Sequence, residues 1–399
     1  MFEKLDILPP DPILGLSQEF AQSNHPDKVN LAVGVYKTET GITPIFRAVK
    51  NAEQKMLGAQ DTKVYIAQQG DANYINGMTE LLLGKELQTS LSDRASLMMT
   101  PGGCGALRLS AEIITTAKAG ATIWFSTPTW GNHYPLLTST GLKAKEYPYY
   151  NIETGKVDFD KMLDTLKQVP TGDFVLLHAC CHNPTGADLN KEQWQQVIDV
   201  AEDQGWIPFI DIAYQGFGES LEADAYGLRL AAETLPEVVI AASCSKNFGL
   251  YRERTGAALI ISRNSEESKA SLTNGISLMR KNYSMSPFHG GGIVGTILSD
   301  AQLKADWQAE VTEICAHVKN IRQQFADLLN AKQDAKDFSF ITENQGMFSY
   351  LGIQLEQVRE LRSEYGIYFL DSTRVNVAGL SSANIDYTTD SIATVLNKG

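Results

Sequence analysis

The chain predicts an α/β fold: a large domain built on a mostly parallel sheet with crossover helices, and a smaller α+β domain. Short apolar runs alternate with amphipathic helical patterns through the middle of the sequence, as strand–helix–strand crossovers require. The runs 174–181 (FVLLHACC), 206–212 (WIPFIDI) and 238–244 (VVIAASC) lack polar alternation, as strands covered on both faces do. Past residue 331 the texture changes to short strands around one helix. At 399 residues and 43% hydrophobic, the chain exceeds what one core usually holds.

The helix after the first of these strands has the clearest ends. Asn190 caps it, Gln193 stands at the capping-box position, Trp194, Val197, Ile198 and Ala201 form one stripe, and Gly205 stops it. A shorter helix is expected around 225–235, halted near Pro236. From Ala301 to Ala331 there is neither Gly nor Pro, and Leu303, Trp307, Val311, Ile314, Val318, Ile321, Phe325 and Leu328 recur at steps of three and four. That spacing predicts one long helix, or two in line. Beyond it FSFIT, the turn Asn344-Gln345-Gly346, MFSYLG, a helix near 354–365, IYFL and RVNVAGL make the smaller domain. The expected division is 45–312 for the large domain and 1–44 with 313–399 for the small domain and N-terminal arm, the boundary falling inside the long helix.

A formal net charge of -13 without any basic block repels phosphate backbones and anionic lipid, so nucleic acid and membrane are poor partners. Cysteines 104, 180, 181, 244 and 315 form no C-x-x-C, which argues against a disulfide framework or a zinc ribbon and for a reducing interior. The opening MFEKLDILPPDPILGL places acids and prolines where a signal peptide needs an apolar core, and no apolar run reaches membrane-spanning length. A cytoplasmic protein is expected.

Each clear strand ends in polar residues. The first delivers His182-Asn183-Pro184-Thr185-Gly186, the second Asp211 and Tyr214, the third Ser243, Ser245 and Lys246. Ligands of open α/β sheets sit beyond the carboxyl ends of the strands, so Asn183, Asp211, Tyr214 and Lys246 are expected to converge. An acid and a lysine there can be a plain ion pair. They also suit pyridoxal phosphate, which needs a lysine to hold its aldehyde and a carboxylate to keep its ring nitrogen protonated. Thr100-Pro-Gly-Gly-Cys-Gly105 opens a helical pattern; it is an ordinary glycine turn or an anion site at a helix N-terminus. Arg254, whose planar fork can bind two phosphate oxygens, stands near Ser243 and Ser245 in sequence.

Taken together, SCSKNFGLYRERTG, HNPTG, DIAYQGFG, GGCGALR, TPTWGNH and RVNVAG resemble the class I pyridoxal-phosphate aminotransferases, the aspartate and aromatic amino acid aminotransferase family, over nearly the whole chain. The resemblance implies the type I fold of pyridoxal-phosphate enzymes and a homodimer with shared active sites. It implies Lys246 as the Schiff-base lysine, Asp211 as the partner of the pyridine nitrogen, Asn183 and Tyr214 as the pair on the phenolic oxygen, and Trp130 as the stacking residue. Gly103, Cys104, Ser243, Ser245 and Arg254 match the phosphate cup, and Tyr65 a tyrosine reaching it from the other subunit. Arg374 matches the clamp on the substrate α-carboxylate, and Arg280 the arginine lent by the partner to a side-chain carboxylate. Gly34 and Tyr36 fall in the segment lining the substrate entrance, and His133 stands behind Asp211. The implied activity is transamination between an L-amino acid and 2-oxoglutarate, with Lys246, Tyr214 and Asp211 as catalytic residues.

The sequence departs from the family at Cys104, where a Ser or Thr is usual, and a thiol is the weaker donor. Met285 stands where the family often has a polar residue, which favours aromatic as well as acidic substrates. An aspartate-only aminotransferase, a lyase or decarboxylase on the same fold, and a cofactor-binding regulatory module remain alternatives. No metal is expected: alternate residues of a strand point oppositely, so His178-Ala-Cys-Cys-His182 cannot wrap one ion. Gly290-Gly-Gly-Ile-Val-Gly295 has dinucleotide spacing but follows PFH rather than a strand, and reads as a tightly packed small-residue helix.

Overall fold

The computed structural model describes residues 1–8 and 12–398, the side chains of residues 12 and 14 excepted. Its centre is a seven-stranded sheet: β1 (Ala95–Pro101), β2 (Thr122–Thr127), β3 (Lys143–Pro148), β4 (Phe174–His178), β5 (Ile207–Ile212), β6 (Val238–Ser243) and β7 (Thr255–Ile261), in the order β1-β7-β6-β5-β4-β2-β3. All neighbours are parallel except β7, which is antiparallel to both β1 and β6. β6 and β7 are buried along their whole length, which explains their unbroken apolar composition. The expected α/β class holds, and the sheet is mostly parallel.

Helix α1 (Gly102–Ala117) follows β1 directly, and α2 (Lys191–Gln204) joins β4 to β5. The ends of α2 are as the sequence predicts: the capping box of Asn190 and Gln193 forms in both directions, and Gly205 closes the helix in the left-handed conformation. The glycines of the glycine-rich helix α3 (Phe288–Ser299) are points of close contact. A Cβ on Gly291 would lie 2.3 Å from Met99 Sδ, and one on Gly295 2.8 Å from the Tyr74 backbone nitrogen.

The long apolar stripe forms one continuous helix, α4 (Ala301–Lys332), capped by Asp300 through the amides of Gln302 and Leu303. Its buried face passes through Leu329 rather than the expected Leu328. Near its start Trp307 stacks on Phe248, centroids 4.4 Å apart, and donates Nε1–H to the Asn247 carbonyl at 2.6 Å. Near its end the buried Arg322 donates to the carbonyls of Asn344 (2.8 Å) and Phe348 (2.9 Å).

FSFIT, whose alternation resembles a strand, turns into the short helix Phe340–Glu343. Phe348–Tyr350 pairs antiparallel with Arg374–Asn376, and Val29–Asn30 pairs parallel with Ile367–Tyr368. Asn376 then holds the segment before Tyr36 by donating to the carbonyls of Val33 (2.7 Å) and Val35 (2.9 Å). Among the described residues no helix is long and apolar enough to cross a membrane.

The sheet bears directly on the start of α1 at one point. A Cβ on Gly256 of β7 would meet the Gly102 carbonyl carbon at 2.4 Å and its oxygen at 2.6 Å, both backbone atoms. Gly256→Ala is therefore expected to cost about 1–3 kcal/mol, the usual penalty for overpacking a tight core. Urea denaturation measures it, and an unchanged midpoint would show that the start of α1 yields freely.

Candidate active site

The functional residues meet at one edge of the sheet because of its register. β1, β2, β4, β5 and β6 all present their carboxyl ends there, and antiparallel β7 presents its beginning. His178 lies opposite Asp211, Asp211 opposite Ala241, and Ser243 opposite Gly256. The reversal into β7 returns Arg254 to the end of β6. A cavity of about 270 Å³ opens at this edge, and Gly34, Gly103, Cys104, Trp130, Asn183, Asp211, Tyr214, Ser243, Ser245, Lys246, Arg254 and Arg374 all line it.

Lys246 Nζ stands 4.5 Å over the Tyr214 ring. Burial lowers its amine pKa, and Arg254 and Arg374 add to the shift while Asp211 and Cys104 oppose it. Burial would raise the carboxyl of Asp211, but His133, with help from His178 and Lys246, outweighs it and holds Asp211 below the usual carboxylate range. His133 Nε2 lies 3.3 Å from Asp211 Oδ2. Burial raises the Tyr214 phenol, so its hydroxyl stays protonated and can donate at neutral pH.

Behind Asp211 the polar groups continue. Thr129 Oγ1 lies 2.8 Å from His133 Nδ1 and 3.1 Å from His178 Nε2. A carboxylate only accepts, so the ring nitrogen of His133 facing Asp211, Nε2, is the one that carries a proton; with Nδ1 accepting from Thr129, the Thr129 hydroxyl accepts in turn from His178 Nε2–H. Burial and His133 push His178 down to about 3, which keeps it neutral.

On the other side of Lys246 an anion cradle forms. Arg254 Nη1 donates to Ser245 Oγ at 3.3 Å and to the Tyr251 carbonyl at 2.9 Å. A Cβ on Gly102 would meet Arg254 Nη2 at 2.4 Å, and one on Gly103 would meet Ser243 Cβ at 3.0 Å, so only glycine lets the loop close here. Arg374 Nη1 donates to Asn183 Oδ1 (3.3 Å) and Nη2 to the Ala32 carbonyl (2.7 Å), while its guanidinium carbon sits 4.3 Å above the Phe348 ring. Only 3% exposed, Arg374 keeps Nε without a partner. A buried, incompletely satisfied guanidinium facing a cavity calls for an anionic ligand.

Among the described residues four non-glycine residues have left-handed backbone: Arg254 itself, Thr373 next to Arg374, Cys181 two residues before Asn183, and Ser284, whose hydroxyl accepts from Arg280. Such conformations cost of order 1–3 kcal/mol and concentrate at functional sites.

Two predicted residues lie outside the cavity. Tyr65 is 87% exposed, and Arg280 is exposed with Nη1 donating to Ser284 Oγ at 2.7 Å. They share one surface, since Gln68 Nε2 reaches the Ser284 carbonyl at 3.4 Å. The sequence reading missed Tyr251, whose hydroxyl accepts from the Tyr36 amide at 3.1 Å, and Phe348, which packs on Arg374 and lies 2.7 Å from where a Gly34 Cβ would be. Neither carries a chemical mark in the sequence. Thr129 and His178 were also missed as the support of His133. Cys180, Cys181 and Asp224 cluster in the core, but the Asp224 carboxylate already accepts from the amides of Gly216, Gly218 and Glu219 and has little left for a metal.

Residues 26–392 match the family model of the class I and II aminotransferases. The chain is 44% identical over 396 residues to the aspartate aminotransferase of Haemophilus influenzae, covering 99% of this chain and 100% of the relative. It is 43% identical over 394 residues to the aromatic-amino-acid aminotransferase of Pseudomonas aeruginosa, covering 99% and 98%. The crystal structure of an aromatic-amino-acid aminotransferase from Burkholderia pseudomallei, covalently bound to pyridoxal phosphate, superposes with a TM-score of 0.96 at 41% identity, covering 99% of each chain. The chain belongs to the class I and II aminotransferases and is a pyridoxal-phosphate-dependent enzyme.

The buried histidines make stability depend on pH. His178 has a pKa of about 3 when folded, against roughly 6.5 in an unfolded chain. Between those values the unfolded state binds more protons here, so stability is full above the unfolded pKa and falls as pH drops toward the folded one. His178→Asn should flatten the loss between pH ~6.5 and ~4 by up to about 1.4 kcal/mol per pH unit. Urea midpoints measured across that range test this; parallel curves for parent and variant would contradict it.

Proposed function

We propose that this aminotransferase acts on both acidic and aromatic L-amino acids, with 2-oxoglutarate as amino acceptor, in the composite sites of a cytoplasmic homodimer. The observation that carries the reading is the buried Arg374, its Nε unpartnered, lining the same cavity as the Lys246 amine. An α-carboxylate held there leaves the substrate's Cα facing Lys246.

Gly103, Cys104, Ser243, Ser245 and Arg254 would hold the cofactor phosphate, Trp130 would lie against its ring, Asp211 would serve its ring nitrogen, and Asn183 and Tyr214 its phenolic oxygen. Bound pyridoxal phosphate supplies a protonated ring that draws electron density away from the substrate Cα. Lys246 Nζ would be the residue that holds the cofactor's aldehyde, and as a free amine it would take up the substrate's Cα proton as a base and give a proton back as an acid. The lowered amine pKa leaves Nζ able to accept that proton. His133, oriented through Thr129, keeps Asp211 ionised so that it can hold the ring nitrogen's proton.

The dimer is supported by the surface that Tyr65 and Arg280 share. Val64, next to Tyr65 in the chain, is 73% exposed and adds apolar area to it, as a face covered by a second copy would. On this reading Tyr65 and Arg280 complete the partner's cavity. The division into a large domain, 45–312, and a small domain, 1–44 and 313–399, is part of the same proposal, supported by the pairing of Val29–Asn30 with Ile367–Tyr368. Five unpaired thiols and the acidic balance favour a cytoplasmic setting. For the substrate range, relatives named for aspartate and for aromatic amino acids stand at nearly equal identity, and a thioether at Met285, next to the Ser284 that accepts from Arg280, would tolerate a ring.

Arg280→Ala separates the two substrate classes. Loss of a carboxylate's partner costs on the order of 2–5 kcal/mol, about thirtyfold to several thousandfold in kcat/KM. Aspartate turnover should collapse by that factor while phenylalanine turnover changes far less. Equal losses, or no aromatic activity in the parent, would leave an aspartate-only enzyme.

Subunit mixing tests the shared sites. Lys246→Ala should lose both visible cofactor absorbance and transamination, and Arg280→Ala should lose aspartate activity. Because the two residues serve different cavities of a dimer, mixed dimers should regain one intact site. No recovery of aspartate activity after verified subunit exchange would show that each chain builds its site alone.

A further inference from the structure

Cys104 is the one cysteine among the described residues that is not buried; Cys180, Cys181, Cys244 and Cys315 are enclosed in the core. It is the third residue of α1, at the N-terminus where backbone amides and the helix dipole favour an anion. It does not stand alone. It lines the cavity with Lys246, Arg254 and the buried Arg374, whose Nε has no partner. An anionic group grown on this sulfur would therefore meet the helix N-terminus and Arg254, in a crevice whose second arginine, Arg374, is also short of a partner. We propose that Cys104 is an oxidative modification site: in the cofactor-free chain a peroxide converts its thiol to a sulfinate that takes the place of the cofactor phosphate.

The inference rests on the assignment of the α1 loop, Ser243, Ser245 and Arg254 to the phosphate. The chemistry balances with peroxide as the sole oxidant. In the first step the peroxide O–O bond breaks, sulfur gains one oxygen to become a sulfenic acid, and the peroxide is reduced to water. A second equivalent repeats this to give the sulfinic acid, which releases its proton. Susceptibility on this ladder follows exposure, which sets Cys104 apart from the other four, whose thiols burial keeps protonated or which lack access. A thiol reductant restores the first product but not the second. A cofactor phosphate held at the start of α1 would cover the sulfur, so the loaded enzyme would be protected and the newly made or emptied chain would be the sensitive form.

The test exposes the full-length protein to hydrogen peroxide, once loaded with pyridoxal phosphate and once after its removal. Peptide masses report where oxygen is added, and titration of visible absorbance reports cofactor affinity without relying on turnover. Two oxygens should appear on Cys104 of the cofactor-free protein and none on the loaded one. Cofactor affinity should fall by about tenfold or more in the treated parent, while Cys104→Ser keeps the same titration curve before and after peroxide. Absence of oxygen on Cys104, equal oxidation with cofactor bound, or the same loss in Cys104→Ser would overturn the inference. Arg254→Gln without peroxide reports on the phosphate assignment itself. Unaltered affinity in that variant would sink the assignment, whereas weakened affinity there with a peroxide-resistant parent would sink the modification alone.

Discussion

An acid and an amine share a water-poor crevice in this protein, and the arrangement of the site follows from keeping them from neutralising each other. Burying Asp211 and Lys246 as a simple pair would offset their desolvation with mutual attraction and leave the lysine a cation. Instead each has separate company. Asp211 is held ionised chiefly from behind by His133, and Lys246 faces the Tyr214 ring with arginines nearby. The result is a carboxylate that keeps its charge and an amine that gives its proton up more readily. That division is what the chemistry of a protonated pyridine ring and a basic lysine requires.

The sheet makes this economical in residues. Five parallel strand ends and one antiparallel strand start deliver Asp211, Lys246, Trp130 and the glycine loop at the start of α1 to one edge. The single reversed strand matters most. A parallel crossover after Lys246 would carry the chain away from this edge for a dozen residues or more, whereas reversal into β7 brings Arg254 back beside Ser243 and Ser245. The left-handed backbone of Arg254 is the local strain that this tight return imposes.

Much of this was legible in the sequence because the residues that do chemistry are out of character where they stand. Polar groups at the ends of all-apolar strands announce a crevice, and the Asn190 capping box announces a helix whose ends can be counted. What stayed hidden acts through shape or through another residue. Phe348 reads as ordinary core in MFSYLG, yet it carries Arg374 and limits Gly34 to glycine. Thr129 matters only as the hydroxyl between two imidazoles. The run TGAALII looks the same in a parallel or an antiparallel strand, so the reversal at β7 had no signature. FSFIT alternates like a strand, but Asp337 accepts from the backbone and hydroxyl of Ser339 and turns the chain into a helical turn with Phe340 and Ile341 buried. Tyr65 and Arg280 could be recognised by resemblance alone, since a single chain leaves both on its surface.

Helix α4 has a mechanical consequence. Its Trp307 is bonded to the turn that carries Lys246, and its Arg322 is bonded to the backbone of Phe348, the platform under Arg374. These two anchor points lie about 22 Å apart along the axis at the standard helical rise. The spacing between Lys246 and Arg374 is thus gauged by a stiff rod rather than by the loops that bear them. Loop motion can change the opening of the crevice without changing its calibre, whereas a bend in the rod would detune both walls together. Resistance of α4 to flexing is, in this sense, the tolerance to which the gap between Lys246 and Arg374 is held.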